Sequence, residues 1–469
     1  MKKTKIIATI GPASNNEKML RKMIKNGMNV ARLNFSHGTL VEHAKTIKLI
    51  RRLASDLQKP IAILQDLPGP KFRIGKMPDN GVFLETGTEF ILTTEQILGS
   101  SEIATVNYAG LPQDMKAKDQ ILLADGNIEL QVKSTNETQV ICKVISGGKL
   151  TSHKGVNVPS GNLKLNPFTT KDKEFLQFGI KHDVDFVALS FVQTSKEIKQ
   201  AKKIISTSKK NISVIAKIER QPALENIDSI IYEADAIMIA RGDLGVEIPL
   251  ENVPSVQKDL IKKCNFAGKP VITATQMLGS MVASQRPTRA EASDVANAIF
   301  DGTDAIMLSE ETAVGINPPK AVKFMTRIAN QTEEIFPYNY HLHHEQKEIS
   351  ITNSVAHSAC LIAKELGARA IIAYTKSGFT AQNISNFRPQ TPIFALTPDI
   401  FVSRKLALCW NVFPMVVETQ HETDSMLSHA ENVLTESGSI KKNDIAVLTA
   451  GFPVADHGTT NLIKVMRIK

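Results

Sequence analysis

Ser213-Val214-Ile215-Ala216-Lys217-Ile218-Glu219 is an apolar run that ends in a cation and a carboxylate. A second run, Ala236-Ile237-Met238-Ile239-Ala240, ends the same way, in Arg241-Gly242-Asp243-Leu244-Gly245. Strands buried on both faces, as in a parallel sheet, read as such runs. Side chains two apart on a strand share a face, so Lys217 and Glu219 point together. A cation beside a carboxylate at one strand end, with an Asp at the end of the next, suits a metal-assisted anion site. Taken alone, the pair also reads as a structural ion pair, and the rest of the chain decides between the two.

The same unit recurs on both sides. Strand-like segments at 4–10, 28–34 and 61–66 alternate with helix-like ones near 15–26, capped by Ser14 or Asn15, and 39–58. Further strands are expected at 185–190, 212–218, 236–240, 270–274 and 304–308. Three early strands and five later ones match a closed (β/α)8 TIM barrel, an α/β fold, over residues 1–68 and 163–338. Between them, after Gly69-Pro70, residues 69–162 read as short β-segments around turns. Asp125-Gly126-Asn127 and Gly147-Gly148 are the hairpin-type turns. A small all-β unit is thus inserted into a barrel loop. Residues 350–469 form a third unit, a C-terminal α/β open sheet. The His-rich stretch before it, with His341, His343 and His344, reads as a solvated linker rather than a metal site.

At 469 residues the chain is long enough for about three domains. Its 42% hydrophobic and 22% charged content is that of an ordinary globular protein, and no apolar run reaches the roughly 20 residues of a membrane span. Met1 to Ile10 imitates a signal peptide, but the apolar part is short and ends at Gly11-Pro12. Cys142, Cys264, Cys360 and Cys409 show no CxxC spacing, which argues against a zinc site and for a reducing cytoplasm. The net charge of +9 is concentrated in residues 1–60, where 13 Lys or Arg face only Glu17, Glu42 and Asp56. Lys18, Arg21, Lys22 and Lys25 fall at helical spacing on a solvated face, and one Trp and five Tyr leave little for base stacking. No nucleic-acid or membrane partner is expected.

Barrel active sites lie at the C-terminal ends of the strands. Those ends carry Arg32 and Asn34; Asp66; Ser190; Lys217 and Glu219; Arg241 and Asp243; Thr273 and Thr275; and Ser309-Glu310-Glu311-Thr312. So many polar ends at one mouth outweigh the ion-pair reading. Glu219 and Asp243 supply two carboxylates for a hard divalent cation. Arg32 and Lys217 form a clamp for a phosphoryl group. Gly242-Asp243-Leu244-Gly245 offers N–H groups at a helical turn, suited to a carboxylate. The implied substrate is a small anion bearing both phosphate and carboxylate.

Thr4 to Ser14, Ala31 to Gly38, Lys154 to Pro159, Ala216 to Glu219, Ala240 to Pro249, Ala274 to Met277 and Arg286 to Glu291 resemble the pyruvate kinase family, in order and over nearly the whole chain. The resemblance implies transfer of the phosphoryl group of phosphoenolpyruvate to ADP, giving pyruvate and ATP. It implies Mg²⁺ or Mn²⁺ on Glu219 and Asp243, and charge stabilisation by Lys217 and Arg32. Gly242, Asp243, Thr275 and Ser190 would hold substrate, with Thr275 near the proton donor. His37, Arg73, Lys154 and Asn34 match nucleotide-contacting positions. The insert becomes a small β-barrel lid that closes over the site. A cytoplasmic homotetramer is implied, with Arg286 to Glu291 near a subunit contact.

Two departures carry expectations. Family members that need K⁺ have Thr where Leu67 stands and Glu where Lys71 stands. In the monovalent-cation region Asn34, Ser36 and Asp66 remain, and the Lys71 ammonium can take the ion's place, so K⁺ is not required. Pro68 and Glu310 also depart, with no function assigned. In the third unit, Thr375-Lys376-Ser377-Gly378-Phe379-Thr380 precedes a helix and matches the family's effector-phosphate loop. The late loop, Gly451 to Thr460, lacks the Trp and Arg of bisphosphate-regulated members, and Asp456 would repel a second phosphate. A sugar monophosphate or AMP is therefore expected over fructose 1,6-bisphosphate. The competing readings are a Mg²⁺-dependent barrel lyase acting on phosphoenolpyruvate or pyruvate, and a non-catalytic effector-binding module.

Overall fold

The computed structural model describes residues 1–159, 167–338, 350–420, 422–451 and 460–469. The His341–His344 stretch and most of the 451–460 loop, with Asp456, lie outside the described residues.

Lys5–Thr9, Val30–Asn34, Ala62–Asp66, Phe186–Leu189, Ser213–Ile218, Ala236–Ala240, Val271–Ala274 and Ala305–Leu308 close into a barrel. Every neighbouring pair is parallel, and the last strand returns to the first with Lys5 opposite Ala305. Alternation along each strand sorts its side chains into two cores. Ile7, Val30, Leu64, Ala188, Ile215 and Met238 fill the barrel interior. Their neighbours Ile6, Ala31, Ile63, Val187, Val214 and Ile237 pack outward against the helices. Capping boxes start several of those helices, at Thr39 with Glu42, Thr169 with Asp172, Thr194 with Glu197 and Thr288 with Glu291. The cap of Glu17–Lys25 is Asn16, not Ser14 or Asn15, because the Ser14 hydroxyl accepts the Gly11 N–H and closes the preceding turn.

The insert has its own core, built on Phe90, Leu92, Ile121, Leu130 and Val140. A six-stranded sheet runs in the order Val156–Asn157, Gln120–Leu123, Ile128–Thr135, Gln139–Ser146, Glu89–Thr93, Ile103–Thr105. Residues 124–127 turn between antiparallel strands as expected. Gly147-Gly148 is not a hairpin turn. There the chain leaves the larger sheet, and Gly148–Leu150 pairs with Val82–Leu84. A Cβ on Gly147 would lie 2.2 Å from the Leu84 carbonyl oxygen, so this glycine serves close approach.

The third unit is a five-stranded sheet in the order Val412–Val416, Ile393–Thr397, Ala370–Tyr374, Ile445–Ala450, Leu462–Arg467, with only the last pair antiparallel. It seats against the N-terminal end of the barrel. Ala407 and Leu408 join the barrel's interior core, and the Lys5 ammonium donates to the Val412 carbonyl. Arg388 is buried there, with Asp304 at 2.8 and 3.0 Å and the Trp410 ring 5.1 Å away.

Candidate active site at the barrel mouth

Period-2 alternation aims the site. Interior Val30 is followed two residues on by Arg32, Leu64 by Asp66, Ala188 by Ser190 and Ile215 by Lys217. Strand register then lays these ends side by side, with Asn34 opposite Asp66 and Ala188 opposite Asp66.

The Lys217 ammonium is the hub. It lies 2.7 Å from Glu219 Oε1 and 3.2 Å from Asp66 Oδ1, and donates to Ser190 Oγ at 2.7 Å. The Ser190 hydroxyl donates in turn to the Leu67 carbonyl, and Arg32 pairs with Asp66 at 2.7 Å while donating to Thr9 Oγ1. Burial alone would lower the Lys217 pKa, but Asp66, Glu219 and Asp243 outweigh it and hold the group above its ordinary range. For Asp66, burial is likewise outweighed, by Lys217 and Arg32, and its carboxylate stays below the usual range. Glu219 moves the other way: burial and then the Asp243 charge raise it, against Lys217 and the Phe191 N–H.

Asp243 is half-buried and takes no hydrogen-bond or ion-pair partner among the described residues. Two carboxylates that repel each other, one with free oxygens, are a donor set a hard divalent cation would satisfy. Among the described residues no group of three or more His, Cys, Asp or Glu side chains that could hold a metal ion is found. Thr275 is held at φ +69°, a left-handed conformation that costs a β-branched residue about 1–3 kcal/mol. Its hydroxyl donates to the Ala274 carbonyl and accepts the Gly242 N–H at 2.8 Å. That N–H is therefore engaged rather than free, as the motif alone suggested.

Some strand-end residues do not face the mouth. Thr273 is one residue out of phase with interior Ile272, and it bonds Thr303 instead. Arg241 grips Asp294 through two bonds of 2.7 and 2.8 Å and the Thr275 carbonyl, so it anchors the Thr275 loop. Glu311 is buried and accepts the Leu278 and Ser309 N–H groups, while Glu310 is exposed. Thr9, which holds Arg32, escaped the reading of strand ends, although its spacing from interior Ile7 signals it. Arg220 and Glu247, a buried ion pair behind Glu219, had no signal beyond charge.

Arg73 and Lys154 come together on the insert. Arg73 bridges Gly155 through the backbone and donates to the His153 carbonyl, and Lys154 is exposed beside them. His37 is exposed on the barrel rim, its carbonyl held by His43. In the monovalent-cation region, Asn34 Oδ1 accepts the Ser36 N–H, and the Leu67 side chain is buried in the outer core. Lys71 keeps much of its surface open to solvent. Burial of its ammonium and then the nearby Lys217 charge lower its pKa, while Asp243, Glu219 and Asp66 pull the other way. In the third unit, Gly378 at φ +91° precedes the helix Phe379–Asn386, and Thr375 Oγ1 accepts its N–H. Lys376 and Ser377 are exposed, whereas Thr380 is buried and shares a hydrogen bond with Thr460.

Residues 1–322 match the family described as "Pyruvate kinase, barrel domain", and residues 353–466 match "Pyruvate kinase, alpha/beta domain". The chain is 47% identical over 469 residues to a pyruvate kinase of Staphylococcus saprophyticus, covering 99% of this chain and 80% of that one. A Staphylococcus aureus (strain MRSA252) pyruvate kinase is 46% identical with the same coverage. The crystal structure of a pyruvate kinase from Cryptosporidium parvum superposes with a TM-score of 0.94 at 38% identity, covering 100% of this chain and 96% of that one.

Proposed function

The chain belongs to the pyruvate kinase family, and on that premise we propose that Lys217, Arg32 and Thr275 carry its phosphoryl transfer and that Lys71 replaces K⁺. The enzyme is a phosphotransferase that acts on phosphoenolpyruvate and ADP and uses a divalent metal. The observation that carries the residue assignment is the Lys217 ammonium, kept charged between Asp66, Glu219 and Ser190. A buried, preorganised cation neutralises charge that develops on the phosphoryl group and then on the enolate. Arg32 offers the phosphoryl oxygens its guanidinium from a position set by Asp66 and Thr9. Thr275 orients the substrate carboxylate end from its strained loop, and Ser190 positions Lys217. Glu219 and Asp243 are the residues that would hold Mg²⁺ or Mn²⁺, which supplies positive charge to the phosphate oxygens when bound. Arg73, Lys154, His37 and Asn34 are assigned to the nucleotide.

A barrel lyase would leave the insert and the third unit without a role, as would a purely regulatory module the polar mouth. Pyruvate formation that depends on ADP, followed through lactate dehydrogenase, tests the kinase reading directly.

Lys71 supports K⁺ independence because it stands where K⁺-dependent members carry Glu, and because Asp243, Glu219 and Asp66 favour its charged form while its side chain stays exposed and unpaired by any of them. In K⁺-free buffer the expected rate is close to that in KCl. Lys71→Glu should create a K⁺ requirement, and a large activation of the unmodified enzyme by KCl sinks the idea.

The effector phosphate is assigned to Thr375, Lys376, Ser377, Gly378 and Thr380, on a loop whose exposed members are Lys376 and Ser377. A sugar monophosphate or AMP should activate, and Lys376→Met should shift that response to higher concentration. Activation by fructose 1,6-bisphosphate at micromolar levels, with none by monophosphates, would count against it. A homotetramer belongs to the same reading. Of Arg286 to Glu291, the two arginines are exposed, while Glu291 is engaged by Ser280 and Thr288.

A further inference from the structure

Arg220 follows Glu219 directly, in extended backbone at φ −135° and ψ 152°. Alternation therefore turns it away from the mouth, to the back of the site. There its Nε lies 3.2 Å from Glu247 Oε2, with the two side chains only 6% and 3% exposed. Glu247 is the last residue of the helix Arg241–Glu247, one turn beyond Asp243. Both partners also reach the insert. Arg220 donates to the Val158 carbonyl at 3.4 Å, and Asn157 lines the same crevice as Glu247, where its side chain favours the charged form of the Glu247 carboxylate. A crevice between insert and barrel, bordered by Pro70, Phe72, Phe191 and Gln193, opens beside the pair.

One buried pair thus touches the strand end that carries Glu219, the helix that carries Asp243 and the returning strand of the insert. A buried ion pair adds little net stability, but separating its partners strands a charge away from water. The arrangement is therefore held in one geometry. If the insert lifts, Arg220 loses Val158, Glu247 loses Asn157, and water reaches the pair.

We propose that Arg220 and Glu247 are positioning residues that set the separation of Glu219 and Asp243 and make divalent-metal affinity depend on the insert being seated. The proposal rests on the assignment of Glu219 and Asp243 to the metal. Linkage makes the effect reciprocal: metal that draws the two carboxylates together tightens the insert.

The test is Mn²⁺ binding to the full chain without substrates, followed by the paramagnetic resonance of free Mn²⁺, with amide hydrogen exchange of residues 154–158. Outer-shell partners of metal ligands typically change affinity by about 10–100-fold, and Glu247→Gln is expected to weaken Mn²⁺ binding by that order. Mn²⁺ should slow exchange in residues 154–158 of the unmodified enzyme. Asn157→Ala keeps both buried charges and removes only the Glu247 side of the tie to the insert, so it should fold, bind Mn²⁺ more weakly and show a smaller exchange response. Unchanged Mn²⁺ affinity in Asn157→Ala, or exchange in residues 154–158 indifferent to Mn²⁺ in the unmodified enzyme, overturns the proposal. Asp243→Asn separates the two levels. If it binds Mn²⁺ as before, the metal assignment itself is wrong; if it loses Mn²⁺ while Asn157→Ala and Glu247→Gln do not, only the positioning role falls.

Discussion

Replacing Lys217 with Met is expected to lower kcat by about 10²–10³-fold, the loss that follows removal of one preorganised charge-stabilising donor. The ammonium sits in low dielectric with two carboxylates and a hydroxyl fixing it, so no reorganisation is needed when charge develops. The Met side chain keeps volume but leaves Glu219 with the Phe191 N–H as its remaining partner among the described residues. Asp66 still has Arg32. The fall should therefore appear in kcat at saturating phosphoenolpyruvate and ADP more than in KM. Lys217→Arg should not rescue it, because a planar guanidinium cannot occupy the point between Asp66, Glu219 and Ser190 that an ammonium fills. A Met variant that kept most of its kcat would remove Lys217 from the chemistry.

The second large effect concerns stability. Arg388→Met is expected to destabilise the enzyme by about 3–5 kcal/mol, the usual result of leaving a buried charge without its partner. Arg388 is 1% exposed and bonds Asp304 twice, with Asn265 and the Gly302 carbonyl as further acceptors. It stands at φ +49°, just beyond the helix Phe379–Asn386. Among the described residues Asp304 would keep two backbone donors, Val271 and Trp410. Because the pair joins two units, urea unfolding should lose coincidence between probes of the barrel and of Trp410, a sign that two-state behaviour has broken. Replacing Asp304 with Leu in the same chain should recover only part of the loss: the stranded charge is gone, but the buried Val271 and Trp410 N–H groups lose their acceptor. An Arg388→Met enzyme with the unmodified midpoint contradicts this account.

Much of the barrel was legible because strand phase is local. The runs ending at Asn34, Asp66, Ser190 and Glu219 could be placed within a residue or two, and their inward faces follow from alternation. The failures have two origins, strand phase left unapplied and partners distant in the chain. Thr273 and Arg241 lie at strand ends but out of phase, so a reading by position alone assigned them to the mouth. Gly147 carried the composition of a turn, yet it serves close approach to Leu84, which depends on a strand more than 60 residues earlier. The Gly242 N–H looked free because its partner, Thr275, comes from the next strand of the barrel.

The sequence by itself determined the order of strands and helices, the interruption of the barrel after its third strand and the residue types that gather at the mouth. It did so because periodicity and capping are encoded by neighbours in the chain. Only the tertiary structure decided that Lys217 is shared among Asp66, Glu219 and Ser190, that Arg220 pairs with Glu247 and reaches the Val158 carbonyl of the insert, and that Arg388 locks the third unit to Asp304. Those partners meet through barrel closure, strand register and docking, which depend on distant segments and leave no mark on local spacing.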